Sequence, residues 1–64
     1  MIALAEAMEI AEVFAPGAVF AQERRDAYIF RGTDALPVII LKRNGRIVPE
    51  WQYERMRKEK KRNG

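Results

Sequence analysis

Apolar residues return every three to four positions along residues 2–15, where Leu4, Met8, Ala11 and Ala15 form one stripe and Ala7, Ile10 and Phe14 lie beside it. Glu6, Glu9 and Glu12 share the opposite side. That period predicts an amphipathic helix, and the segment has no glycine or proline and is rich in helix-favouring residues. The glutamates sit in the first and middle turns, where negative charge suits the helix dipole. Pro16 and Gly17 then end the helix.

The pattern from residue 18 to residue 31 supports two elements. As a helix it would start behind Pro16, stop at Gly32, turn Val19, Phe20, Ala27 and Phe30 inward and leave Arg24, Arg25 and Arg31 exposed. As a hairpin it would pair the clusters Ala18–Val19–Phe20 and Tyr28–Ile29–Phe30 across the polar residues 22–26. The helix is the first expectation. Downstream, Gly32–Thr33–Asp34 predicts a loop and Val38–Ile39–Ile40–Leu41 a strand. Asn44–Gly45 predicts a tight type I′ turn and Arg46–Ile47–Val48 the return strand. Pro49–Glu50–Trp51 opens a last helix, with Trp51 as its core anchor and Tyr53 and Met56 as further contacts. Phe14, Phe20 and Phe30 complete the expected core.

Charge adds an asymmetry to this outline. Residues 1–22 carry Glu6, Glu9 and Glu12 and no cation, a net of −3. Residues 42–64 hold Lys42, Arg43, Arg46, Arg55, Arg57, Lys58, Lys60, Lys61 and Arg62 against Glu50, Glu54 and Glu59, a net of +6. A chain divided in this way points its basic part at a polyanion. Length and composition exclude much else. With 64 residues there is room for one domain near the lower size limit for an unstapled core, expected over residues 1–57 with a basic, disordered tail over 58–64. The absence of cysteine and histidine excludes disulfides, thiolate nucleophiles, imidazole bases and the usual zinc ligand sets. No carboxylate pair stands in a recognisable catalytic motif, so no catalytic residue, metal ligand, cofactor or small-molecule substrate is expected. The longest apolar run, residues 36–41, is too short for a membrane span, and no basic leader opens the chain, so a cytoplasmic location is the expectation.

The order of helix, break, second helix, basic hairpin and short basic helix resembles the winged-helix DNA-binding domains of the MerR-like and phage excisionase (Cox-type) group. The resemblance runs from about Glu9 to Met56. It is carried by Ile10–Ala11–Glu12–Val13–Phe14 as a first helix, Gly32 with Leu36–Pro37 after the second, Lys42–Arg43–Asn44–Gly45–Arg46–Ile47 as the wing, and Trp51–Gln52–Tyr53–Glu54 as the following helix. It implies an α+β winged helix-turn-helix and a non-enzymatic role as a recombination directionality factor or transcriptional regulator. It also implies cooperative self-association along double-stranded DNA and a recombinase or integrase as partner. Independently of the family, the second helix would read bases in the major groove through Gln22, Arg24, Arg25 and Arg31. The hairpin would bring Lys42, Arg43 and Arg46 to phosphates or the minor groove, and Arg55, Arg57 and Lys58 would add backbone contacts.

The competing expectation follows from the hairpin reading of residues 18–31. It gives one helix on a four-stranded antiparallel sheet, and a small phage-type inhibitor or adaptor whose basic tail meets an acidic surface of a host enzyme.

Overall fold

In an extended strand alternate side chains face opposite sides, and the two central strands of this protein are apolar on both. The computed structural model describes the backbone of residues 1–63 and the side chains of residues 1–58. Tyr28 and Phe30 of strand β2 (Ala27–Arg31) join Val38 and Ile40 of β3 (Pro37–Leu41) in a core on one face. Ala27 of β2 joins Ile39 and Leu41 of β3 in a second core on the other. Each face is closed by one helix. Helix α1 (Leu4–Phe14) covers the first with Ala7 and Ala11, and α2 (Glu50–Asn63) covers the second with Tyr53 and the half-buried Met56.

The sheet is an antiparallel meander in the order β1-β2-β3-β4, with β1 at Val19–Glu23 and β4 at Ile47–Val48. In register, Val19 faces Arg31, Tyr28 faces Ile40, Ala27 faces Leu41 and Ile39 faces Val48. The β1–β2 ladder shifts between Phe20 and Gln22, a bulge at Ala21. The order helix, four strands, helix overturns the winged helix-turn-helix expectation. Val19–Glu23 and Ala27–Arg31 form a hairpin, so this segment supplies no recognition helix to enter a major groove. A helix there would have buried Ala27 and Phe30 and turned Tyr28 and Ile29 outward. The ladder to β3 instead buries Tyr28 and Phe30 on one face and packs Ala27 and Ile29 on the other. The competing expectation has the four antiparallel strands but lacks α2, which covers the opposite face.

Several core expectations change with the fold. Phe30 is buried and holds Phe20 edge-on, with ring centroids 5.6 Å apart, yet Phe20 keeps an exposed side and Phe14 is exposed. Trp51 lies outside, 65% exposed, and Tyr53 is the anchor of α2 at 2%. The apolar stripe of α1 contracts to its smallest members, Ala7 and Ala11, which lets the helix backbone lie close on the aromatic rings of β2. Met8 is left exposed. The β3–β4 turn is wider than a two-residue type I′ turn. Asn44 has no positive φ, the Gly45 N–H donates to the Leu41 carbonyl at 2.8 Å, and only Gly45 is left-handed at φ 72°. The Asn44 side chain closes the turn by accepting the Arg46 N–H at 3.0 Å. The tail expected over residues 58–64 begins within α2, and its side chains beyond Lys58 lie outside the described residues.

Candidate nucleic-acid interface

Antiparallel pairing decides which turns share an end of the sheet. The Ala27–Leu41 pair sets the β1–β2 turn beside the β3–β4 turn, and the Lys42 N–H donates to the Asp26 carbonyl at 2.9 Å, joining the two. Helix α2 starts at the opposite end, behind Pro49, and runs back to this one. Its Tyr53 hydroxyl donates to Asp26 Oδ1 at 2.7 Å, and the Arg57 guanidinium lies 5.9 Å from the Tyr53 ring centre. Arg24 and Arg25 of the first turn, Arg43 and Arg46 of the second, and Arg57 and Lys58 of α2 therefore gather at one end of the molecule. Arg25, Arg43, Arg46, Arg57 and Lys58 are exposed.

Of the carboxylates described at this end, Asp26 is half-buried and engaged inward, whereas Glu23 keeps its side chain 54% exposed. Asp26 accepts the Tyr53 hydroxyl, and Glu23 forms an ion pair with Lys42 at 2.8 Å. Burial and the Asp26 hydrogen bond push the Tyr53 phenol from 10.0 up to about 12, against the opposing pull of Arg24 and Arg57. Tyr53 is thus neutral and a hydrogen-bond donor at any physiological pH. It acts as a latch between α2 and the first turn, and it holds an acid away from the surface where the cations stand. The signal for this role in the sequence is the three-residue step from Tyr53 to Met56, which puts both on one helix face while Trp51 falls off it.

The ten residues expected to touch DNA divide into groups. Arg24, Arg25, Arg43, Arg46, Arg57 and Lys58 come together at the basic end. Lys42 does not join them: its side chain is 11% exposed, paired with Glu23, and its Nζ sits 4.9 Å from the Tyr28 ring centre. The alternation of β3 explains this, since Lys42 follows Ile40 by two positions and so falls on the α1 face. Arg31 lies at the far end of β2, opposite Val19 and Pro37. Gln22 and Arg31 line a recess of about 230 Å³ on the α2 face, together with Arg24, Tyr53, Glu50 and Glu54. The half-buried Arg24 keeps its Nε out of solvent there without a hydrogen-bond partner among the described residues. Arg55 is exposed on α2 and engaged in an interaction of its own.

No described helix is long and apolar enough to cross a membrane. Comparison with family models, with characterised proteins and with solved structures finds no match to this chain.

Proposed function

We propose that the protein is a non-enzymatic DNA-binding module that grips the phosphate backbone of a duplex with its basic end. The observation that carries this reading is the convergence of two arginine-bearing turns with Arg57 and Lys58 of α2 on one face of approach, with Asp26 turned inward to Tyr53 and Glu23 engaged by Lys42. The five exposed cations, Arg25, Arg43, Arg46, Arg57 and Lys58, can neutralise several phosphates at once, and the counterions so released supply the affinity. Arginine suits this work because its planar fork meets phosphate oxygens two at a time. Turn tips reach phosphates or the rim of a groove more readily than base edges along its floor, so affinity should exceed sequence discrimination.

The test is a titration of duplex DNA at two salt concentrations, with the Arg43→Ala/Arg46→Ala double variant beside the wild type. The wild type should lose affinity steeply as salt rises. The variant's slope should be shallower by about 2, close to one unit for each phosphate contact removed. Both positions are exposed, so far-ultraviolet circular dichroism should be unchanged in the variant. Absence of duplex binding at low salt, or binding with equal slopes, would overturn the reading.

A further inference from the structure

The two edges of the sheet are built differently. Strand β4 is two residues long and is followed by Pro49, which blunts that edge. Strand β1 has five residues, all exposed, pairs only with β2, and contains neither proline nor lysine. Its guards are the bulge at Ala21 and the charge of Glu23 at its last position. Beside it, on the α1 face, runs an open groove of about 680 Å³ whose apolar walls include Met8, Val13, Val19 and Phe20. Val13 is 84% exposed and Val19 61%. Side chains of this kind are buried in small proteins that have a choice, and a contiguous strip of them along an open strand marks a contact surface.

We infer that β1 is the interface with a second copy of this chain, paired antiparallel about a two-fold axis normal to the sheet. Such an axis keeps both α1 helices on the same face. The strip on one α1 then meets its equivalent across the seam, and the two sheets join into one of eight strands. Charge selects the antiparallel arrangement. Arg24 and Arg25 directly follow the C-terminal end of β1, while Glu12, whose carboxylate accepts the Gly17 N–H at 3.2 Å, stands at its N-terminal end with Glu9 on the groove wall. Antiparallel pairing sets the arginines of each copy against the glutamates of the other; a parallel pairing would set like against like. The inference does not depend on DNA binding, and its test is made without DNA.

Sedimentation equilibrium of the full chain should give a dimer at about 100 μM, a concentration suited to an interface of modest area. Met8→Lys and Val19→Lys should each weaken the dimer at least about tenfold, while Leu36→Lys, exposed on the loop after β2, should leave it unchanged. Met8 lies on a helix surface and Val19 on a strand, so the pair guards against one variant merely failing to fold. Arg25→Glu should weaken association and Glu9→Arg in the same chain should restore it. A monomer at that concentration, a dimer indifferent to Met8→Lys and Val19→Lys, open-ended growth to larger species, or no rescue by the charge swap would each overturn the inference.

Discussion

Tyr53 sets the relation between the packing of α2 and the chemistry of the basic end, because one hydroxyl serves both. Its ring fills the second core, and its O–H holds Asp26 at 2.7 Å. Replacing it with phenylalanine keeps the ring and leaves the Asp26 carboxylate without that donor, which should cost about 2 kcal/mol at neutral pH by chemical denaturation. The pH dependence has a definite sign. The native phenol stays protonated up to about pH 12, whereas in the unfolded chain it ionises around its ordinary value of 10.0. The stabilisation is therefore complete below pH 10 and is lost as the pH climbs towards 12. Every other group is common to both proteins, so the quantity to follow is the difference between wild type and Tyr53→Phe. That difference should be flat from neutral pH to 10 and should close above it. A gap that persists at pH 12 would mean the hydroxyl contributes nothing through its proton.

At the scale of elements, the two helices sit on the sheet in different ways. Helix α1 approaches through alanine, and α2 through one aromatic anchor. Ala7 and Ala11 are 0% and 1% exposed against the Tyr28 and Phe30 face, so α1 has no space for a longer side chain at either position. Ala11→Leu lowers helix propensity only slightly but forces the helix off the sheet, and thermal unfolding should report a loss of about 1–3 kcal/mol. An unchanged midpoint would show that α1 is loosely seated. The same contrast explains what could be read from the sequence. Helix α1, strand β3 and the opening of α2 at Pro49–Glu50 are written locally, in periodicity and stop signals. The β1–β2 hairpin is not. Residues 18–31 satisfy a helix pattern and a strand pattern about equally, and the choice is made by the ladder with β3, a partner the local sequence does not display. The candidate site was legible in part for the same reason. The basic turns are visible as residues, whereas the inward placement of Lys42 follows only from knowing that β3 runs unbroken to Leu41. The withdrawal of Asp26 follows only from knowing where α2 ends its return.

The molecule as a whole folds with its charge separated along the strands. Arg24, Arg25, Arg43, Arg46, Arg57 and Lys58 occupy one end, while Glu12 beside Gly17, Asp34 in the β2–β3 loop and Glu50 at the start of α2 stand towards the other. A five-residue strand spans about 17 Å, roughly twice the Debye length at physiological ionic strength, so the acids at the far end do little to relieve repulsion among the cations. That repulsion opposes folding, and salt should reduce it. Raising sodium chloride from about 20 to about 200 mM should raise the melting midpoint, by a small amount because each pair is exposed and contributes well under 1 kcal/mol. Arg43→Gln/Arg46→Gln should melt higher than the wild type at low salt and respond less to added salt. If these arginines were instead held in stabilising ion pairs, both effects would reverse: salt would lower the midpoint, and the double variant would be less stable at low ionic strength. A duplex that occupies the same end should give a larger rise than salt at low ionic strength, since it binds the native state alone. Added salt should then diminish the rise from the duplex while strengthening the free protein. Two opposite salt dependences in one set of melting curves are expected of a surface whose self-repulsion is relieved by the polyanion it binds.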